Sequence, residues 1–227
     1  MLGIIGAMEI EIQGIEKLLD DAVESQSGEF RFTKGKLHGK DVVVCKCGIG
    51  KVNSSSAAAL MWEKFRVDEI INIGVAGGYR TLKQCDTVIS SYTCEHDFDL
   101  TPDGLKKGQL SADLPALIKC DDALVKKLED IAKSKGYPVS VGVIASGDQF
   151  IASNAVSQRI TDEFGAIAYD MESGAINHVC RMLGVKFAAL RSISDNGTDD
   201  AVESFYTFLT RAAAVCVDVI SEYVKNA

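Results

Sequence analysis

Short apolar runs alternate along the chain with segments whose apolar residues recur every three or four positions. Residues 2–7 form one such run, residues 139–145 another and residues 186–193 a third. Runs of this length are typical of strands buried in a sheet, and the intervening spacing is typical of helices that cover it. We therefore predict an α/β protein in which a parallel or mixed sheet is covered by helices on both faces.

The same patterns place each predicted strand and helix. Strands are predicted over residues 2–7, 30–37, 40–47, 69–73, 87–93, 139–145, 166–169 and 186–193. Helices are predicted over residues 9–20, 155–164, 172–183 and 203–224, with two more capped by Asn53 or Ser54 and by Asp121. The polar residues 95–115 follow neither period and are interpreted as a long loop. Because no linker or repeat interrupts the pattern, residues 1–227 are expected to form a single domain.

Composition and charge disfavour several classes of partner. The 227 residues are 47% hydrophobic, which is enough for one sizeable core, and they carry a formal net charge of −8. This charge argues against nucleic acid, which usually requires a basic face. No apolar stretch approaches about 20 residues, so no membrane partner is expected. The seven cysteines are scattered singly, which favours a reduced, cytoplasmic setting.

Three acidic residues stand where predicted strands end. Glu11 follows the first strand, Glu172 follows the strand over residues 166–169, and Asp195 follows the last strand. Because strand ends border the ligand crevice of an α/β protein, these carboxylates can converge on one pocket. The arrangement indicates acid–base chemistry on a small polar molecule. Taken singly, each residue is better explained as an acid in the first turn of a helix or as a solvated surface group.

Other motifs point away from cofactor chemistry. Residues 48–51, Gly-Ile-Gly-Lys, lack the spacing of a phosphate loop and are interpreted as a tight turn before a helix. Cys45 and Cys47 have no second Cys or His pair, so they are interpreted as core thiols. Residues 96–99, His-Asp-Phe-Asp, are assigned a structural or subunit-contact role, and His178 a packing or hydrogen-bonding role. We expect neither a metal nor a cofactor.

Five short segments, in this order, are shared with one known family. They are residues 6–11 (Gly-Ala-Met-Glu-Ile-Glu), 47–52 (Cys-Gly-Ile-Gly-Lys-Val), 146–151 (Ser-Gly-Asp-Gln-Phe-Ile), 170–172 (Asp-Met-Glu) and 191–195 (Arg-Ser-Ile-Ser-Asp). With them, the chain closely resembles, nearly end to end, the bacterial 5′-methylthioadenosine/S-adenosylhomocysteine nucleosidases of the nucleoside phosphorylase superfamily. The resemblance implies a three-layer α/β/α sandwich with a central mixed β-sheet, a homodimer, and hydrolysis of the bond between adenine and a 5′-thio ribose.

The resemblance also implies a role for each of the three carboxylates. Asp195 falls where the family's general acid protonates N7 of adenine, so that the base leaves as a neutral molecule. Glu11 falls where a carboxylate holds and activates the attacking water. Glu172 matches the residue that accepts hydrogen bonds from the ribose hydroxyls, and its charge would favour an oxocarbenium-like sugar. The pair of acid and base resembles the two-carboxylate arrangement of inverting glycosidases.

Further residues are implied to surround the nucleoside. Phe150 would stack on adenine, and the backbone of Ile151 would read the edge of the base. Met171 would lie against the sugar, while Ile49 and Phe205 would surround the 5′ substituent. The remaining implied substrate-binding positions are Val75, Ala76, Gly77 and Ser194.

Several positions depart from the family pattern. Ile10 stands where the family usually has Glu, and its side chain is expected to point away from the pocket. Val75 replaces a Ser whose hydroxyl would help to orient Asp195, so that acid is expected to be less well held. In the loop that the family's neighbouring subunit contributes, Asp103 and Ser111 replace an aromatic residue and a Pro. These two changes predict a more polar pocket for the 5′ substituent.

Two other functions stay open at this point. A nucleoside phosphorylase of the same fold would use phosphate in place of water. The carboxylate of Glu11 would repel phosphate, whereas Arg80 is a nearby cation that would favour it. A nucleoside-binding homologue with weak turnover or shifted 5′ specificity is suggested by Val75.

Overall fold

The fold is built on a mixed sheet. The structure is a computed structural model that describes residues 1–198 and 200–226. Within these residues the strands are β1 (Leu2–Gly6), β2 (Asp20–Ser27), β3 (Phe30–Leu37), β4 (Lys40–Lys46), β5 (Glu69–Gly78), β6 (Thr87–Glu95), β7 (Ile118–Lys119), β8 (Val139–Ser146), β9 (Ala166–Asp170) and β10 (Lys186–Asp195). Their order is β10-β6-β8-β9-β5-β1-β4-β3-β2, with β7 paired to β6.

One half of the sheet closes on itself. Strand β5 pairs in parallel with β10 and, at its end, in antiparallel fashion with β9. Because β10, β6, β8 and β9 also pair in succession, these five strands form a closed circuit. Closure brings distant strand ends together: Gly77 lies beside Asp195 on one side and beside Tyr169 on the other, and Asp170 lies beside Ser146.

Helices cover both faces of the sheet. They are α1 (Glu9–Glu16), α2 (Lys51–Phe65), α3 (Asp122–Ser134), α4 (Asn154–Phe164), α5 (Ser173–Leu183) and α6 (Ala201–Lys225). Asp121 caps α3 as predicted, because its side chain accepts hydrogen bonds from the backbone N–H groups of Ala123 and Leu124, each at 3.0 Å.

Two large apolar clusters separate the layers. Met61 of α2 and Ile176 of α5 pack in one cluster with strand residues such as Ile5. Ile12 of α1, Leu128 of α3 and Ile220 of α6 belong to the other cluster. A helix layer therefore lies on each side of the sheet, and the predicted three-layer α/β/α sandwich with a mixed central sheet is confirmed.

The structure corrects several predicted boundaries. Helix α1 ends at Glu16, so the prediction of helix up to residue 20 was wrong, and the edge strand β2 that follows was missed. Helix α2 begins at Lys51 rather than after Asn53, with Gly50 at the capping position. Strand β5 continues beyond residue 73, and β10 includes Asp195. The long loop is confirmed over most of its length, which holds one short 3₁₀ turn (Thr101–Asp103).

Helix α6 is long and apolar enough, by length and composition, to cross a membrane, and among the described residues it alone meets this test. The expectation that no stretch reaches such a length was therefore too strong. Cys216, Val219 and Ile220 of this helix are almost wholly buried against the sheet. Because the charged residues Asp218 and Glu222 lie in the same segment, the pattern is that of an amphipathic helix with one face in the core.

Candidate active site

A cavity opens at the carboxyl ends of β1, β5, β9 and β10. It is lined by all twelve residues that were predicted from the sequence to form a nucleoside site: Glu11, Ile49, Val75, Ala76, Gly77, Phe150, Ile151, Met171, Glu172, Ser194, Asp195 and Phe205. Five further residues line the cavity but were not predicted to do so, namely Ala7, Met8, Gln149, Tyr169 and Asp170. Acidic groups from three distant parts of the chain thus share one crevice with apolar walls.

The carboxylate of Glu11 is held by three backbone N–H groups. It lies in the first turn of α1, where Ala7 and Met8 donate to Oε2 at 2.8 and 2.9 Å. On the other side, Val75 of β5 donates to Oε1 at 3.0 Å. Burial raises the pKa of Glu11, against the lowering influence of the Arg191 guanidinium and of these N–H groups. The result is an oriented carboxylate that is more basic than an exposed one.

Glu172 lies at the end of β9, just before α5. Its Oε1 accepts a hydrogen bond from the backbone N–H of Gly50 at 3.0 Å. Its Oε2 lies 3.9 Å from Nη2 of Arg191. Burial, followed by the charge of the neighbouring Asp170, raises the pKa of Glu172 to about 7, although Arg191 opposes the shift. Near neutral pH this residue therefore exchanges between its charged and neutral forms.

Asp195 is the last residue of β10 and is held by its near neighbours in the chain. Its Oδ1 accepts a hydrogen bond from the Gly197 N–H, and its Oδ2 accepts one from the Ser194 hydroxyl, both at 2.9 Å. Burial raises the pKa of Asp195, while these two hydrogen bonds oppose the shift. A carboxyl group that keeps its proton to higher pH is suited to donating that proton in a crevice. The apolar side chain of Val75 supplies no hydrogen bond to it; Ser194 and Gly197 do.

A buried ion pair lies beneath two of these carboxylates. Arg191 is 1% exposed, and its Nη2 and Nε lie 2.7 and 2.9 Å from Oδ2 of Asp170. The guanidinium also donates to Asn72 and to the Ser173 hydroxyl. Arg191 and Asp170 lie within two of the shared sequence segments, but no function was predicted for either. The available signal was an arginine inside the apolar run of residues 186–193, because a buried charge requires a partner.

The backbone of β5 approaches the Glu11 carboxylate too closely for a side chain. A Cβ added at Gly74 would lie 2.5 Å from Oε1 of Glu11 and 3.4 Å from Nη1 of Arg191. Glycine is therefore required at this position for steric reasons. Strand β5 forms one wall of the site through its main chain, and the adjacent Val75 N–H fixes Glu11.

Aromatic and aliphatic side chains form the outer walls. Phe150 and Phe205 pack edge to face, with ring centroids 5.6 Å apart, and Phe205 packs in the same way against Tyr206 at 5.3 Å. Phe150 and Ile49 remain 46% and 53% exposed at the mouth. An apolar crevice with a few polar groups at its deep end is typical of a binding site for a small, partly flat molecule.

Several residues that the sequence singled out lie away from the cavity. Ile10 lines a separate groove between α1 and α6, in agreement with its expected direction. Asp103 and Ser111 do not line the cavity of their own chain. Arg80 is exposed, with its guanidinium 5.5 Å from the centre of the Tyr79 ring.

The other motifs that the sequence singled out occupy structural positions in the fold. Gly50, with φ = +98°, forms the predicted tight turn at the start of α2. Cys45 and Cys47 are buried thiols in the core, as predicted. His178 Nδ1 lies 3.3 Å from Oε1 of Glu95, which agrees with its predicted hydrogen-bonding role. Across residues 1–198 and 200–226, no three His, Cys, Asp or Glu side chains are grouped so as to hold a metal ion.

Comparison with known proteins identifies the family. A family model described as the Phosphorylase superfamily matches residues 1–225. A 5′-methylthioadenosine/S-adenosylhomocysteine nucleosidase from Actinobacillus succinogenes is 40% identical over 221 residues, which are 96% of each chain. The crystal structure of the Neisseria meningitidis nucleosidase of that name, in complex with methylthio-immucillin-A, superposes with a TM-score of 0.96 at 36% identity, covering 100% of this chain and 99% of that one. A futalosine hydrolase of Helicobacter pylori superposes with a TM-score of 0.95 at 33% identity, covering 100% and 97%.

The fold and the acid-lined crevice are those of a nucleoside-processing enzyme of the α/β class. The chain belongs to the Phosphorylase superfamily and, within it, to the 5′-methylthioadenosine/S-adenosylhomocysteine nucleosidases, as its five sequence segments had indicated.

Proposed function

We propose that the protein hydrolyses the N-glycosidic bond of 5′-thioadenosines such as methylthioadenosine and S-adenosylhomocysteine, releasing adenine. One observation carries the proposal: Glu11, Glu172 and Asp195 line a single cavity whose other walls are apolar and aromatic. The family to which the chain belongs supports the same reaction.

Asp195 acts as the general acid. The raised pKa of its buried carboxyl group favours the protonated form, which delivers its proton to N7 of adenine as the glycosidic bond breaks. The base then leaves as neutral adenine rather than as an anion. Proton donation of this kind typically contributes about 10²–10⁴-fold to the rate. The hydrogen bonds from Ser194 and Gly197 fix the direction of the carboxyl group.

Glu11 acts as the general base for water. Its carboxylate takes a proton from a water molecule, and the oxygen of that water attacks the anomeric carbon. The three N–H groups that hold Glu11 fix its position, and its buried setting raises its basicity. Protons balance over the reaction, because one is taken from water by Glu11 and one is given to adenine by Asp195.

Glu172 binds the ribose hydroxyls and stabilises the developing positive charge on the sugar. Its ionised form is the useful one, because an anion close to an oxocarbenium-like carbon lowers the energy of the transition state. The guanidinium of Arg191 lies 3.9 Å from Oε2 of Glu172. Its positive charge opposes the effect of burial, so that Glu172 remains ionised in part of the molecules.

The apolar residues orient the substrate. Phe150 stacks on adenine, and the backbones of Ile151, Ala76 and Gly77 border the base. Met171 lies against the sugar. Ile49 and Phe205 contact the 5′ substituent, and both are lining residues of the same cavity.

A substrate with a larger 5′ group is the second candidate. The mouth of the cavity is open, and the edge-to-face series from Phe150 through Phe205 to Tyr206 extends outward from it. One structural relative is a futalosine hydrolase. Futalosine therefore belongs beside methylthioadenosine and S-adenosylhomocysteine as a test substrate.

We also propose that the protein works as a homodimer in the cytoplasm. Ile49, Val52 and Phe150 leave apolar surface exposed beside the mouth of the cavity, and a second copy of the chain would cover it. All seven cysteines are free thiols, which suits a reducing compartment. Analytical ultracentrifugation tests the dimer, and a monomer at micromolar concentration would contradict it.

The activity is tested by product analysis. The purified protein is incubated with each of the four nucleosides methylthioadenosine, S-adenosylhomocysteine, 5′-deoxyadenosine and futalosine, with and without phosphate, and the sugar product is identified by chromatography. We expect free sugar at a rate independent of phosphate, because Glu11, Asp170 and Glu172 outnumber Arg191 and would repel an anion. Sugar-1-phosphate that forms only with phosphate would establish phosphorolysis. Release of no base from any nucleoside would point to a binding protein.

A further inference from the structure

Three charged residues connect the two loops that flank the cavity with the segment that follows β6. Lys51 begins α2, Asp97 follows β6, and Asp148 lies between β8 and α4. Lys51 Nζ donates to Oδ1 of Asp97 at 2.6 Å, and the Asp148 N–H donates to Oδ2 of Asp97 at 2.9 Å. The Lys51 N–H donates to Oδ1 of Asp148 at 2.8 Å, which closes the set. We call these three residues the loop junction.

Two of the three segments that meet at the junction carry part of the cavity wall. The turn that leads into Lys51 carries Ile49 and Gly50, and the Gly50 N–H holds the carboxylate of Glu172 at 3.0 Å. Two residues beyond the junction in the other loop, Phe150 lines the cavity. The junction therefore sets the distance between the wall near Glu172 and the aromatic wall of Phe150.

The two loops approach each other closely at Gly50 and Asp148. A Cβ added at Gly50 would lie 2.9 Å from Oδ1 of Asp148, and the φ of +98° at Gly50 also favours glycine. Lys51 Nζ makes a second ion pair with Glu95, at 3.2 Å, and its side chain is only 18% exposed. The contact is therefore specific in geometry and partly shielded from water, unlike an ordinary surface ion pair.

We propose that Lys51, Asp97 and Asp148 are positioning residues of the nucleoside site, which hold its two flanking loops in register before substrate binds. This inference rests on the proposed function for its kinetic consequences. None of the three lines the cavity, so they act through Gly50 and Phe150. When the junction is broken, substrate must order the loops itself, and that cost appears mainly as weaker binding.

Asp148→Ala is the most direct test, because this side chain is exposed and its removal leaves no buried charge. We expect KM for the preferred nucleoside to rise about tenfold, equivalent to about 1.4 kcal/mol, with kcat within about threefold of wild type. Asp148→Asn retains an oxygen that accepts the Lys51 N–H and should restore KM. Asp130→Ala is the matched control, because Asp130 is an exposed aspartate paired with Lys126 on α3, away from the cavity.

Asp97→Asn supplies the second variant. Its effect should not add to that of Asp148→Ala, because both changes disrupt the same set of contacts. Amide hydrogen exchange gives a readout that needs no turnover: residues 149–152 should exchange faster in Asp148→Ala than in wild type. A KM within twofold of wild type in both variants, or unchanged exchange, would overturn the proposal. If wild type cleaves none of the nucleosides, the proposed function fails, while the exchange measurement still decides the role of the junction.

Discussion

At the scale of single residues, the three candidate carboxyl groups share burial but differ in their partners. Glu11 is surrounded by N–H groups, Asp195 by one N–H and one hydroxyl, and Glu172 by two N–H groups and a more distant guanidinium. Burial raises the pKa of all three. Because no cationic side chain among the described residues pairs with Asp195, it is the one best suited to carry a proton to the substrate.

The role of Asp195 is tested by Asp195→Asn. The amide oxygen of Asn still accepts the Gly197 N–H, so the local geometry should persist while the transferable proton is lost. We expect kcat to fall by about 10²–10⁴-fold and methylthioadenosine affinity, measured by calorimetry, to stay within about tenfold. Asp130→Asn, an exposed change on α3 away from the cavity, serves as the control. Turnover close to that of wild type would exclude Asp195 as the acid.

The residues that line the cavity could be predicted from the sequence, whereas the buried contacts behind them could not. Glu11, Glu172 and Asp195 follow apolar runs and stand in recognisable motifs, so their grouping could be anticipated. The pairing of Arg191 with Asp170 and Asn72 could not, because it depends on how β5, β9 and β10 come together in three dimensions. Likewise, no pattern in the chain indicates that Lys51 reaches Asp97 across 46 positions.

At the scale of helices and strands, the elements with a strong apolar periodicity were predicted well, whereas the exposed edge strand of the sheet was not. The apolar stripe of α3 and its cap at Asp121 locate that helix from the sequence alone. Strand β2 has almost no buried side chains and pairs only with β3, so it lacks the alternation that reveals a strand. The closed circuit of β5, β10, β6, β8 and β9 also escapes prediction, because its pairings join segments far apart in the chain.

The close approach of β5 to the site is tested by Gly74→Ala. The added methyl group would lie 2.5 Å from Oε1 of Glu11, so either the strand or the carboxylate must shift. We expect kcat/KM to fall by about 10²-fold, because a displacement near 1 Å in a catalytic group has effects of that size. The accompanying loss of stability should be about 1–3 kcal/mol.

A control on the same strand separates these two effects. Ile71 is fully buried in the core cluster that includes Leu128, and Ile71→Val should cost about 1 kcal/mol of stability with little change in kcat/KM. Urea denaturation gives the stability of each variant, and steady-state kinetics on the folded protein gives the activity. If Gly74→Ala is as active as Ile71→Val, β5 does not determine the position of Glu11.

At the scale of the whole molecule, the candidate site works against the stability of the fold. Burial disfavours the charged forms of Glu11, Glu172 and Asp195, whereas the pKa of Asp97 is held below its ordinary value, against burial, by Lys51. The ion pair between Lys51 and Asp97 beside the cavity therefore stabilises the fold, whereas the buried carboxylates of the cavity destabilise it. Such opposition is expected where function rather than stability selects the residues.

The pH dependence of stability measures this cost through Glu172. Because its pKa rises to about 7 on folding, its favourable contribution is complete below about pH 4.5 and is lost as the pH rises through 7. Glu172→Gln stays neutral, so at pH 8 we expect it to be more stable than wild type by about 1–3 kcal/mol in urea denaturation. At pH 4 the two proteins should differ little, because Glu172 is then largely protonated in both the folded and the unfolded state. Glu63→Gln on α2, an exposed change, should alter stability by less than about 1 kcal/mol. If the difference in stability between wild type and Glu172→Gln is the same at both pH values, Glu172 does not titrate in this range. Burial of its charge would then not be the cause of the lost stability.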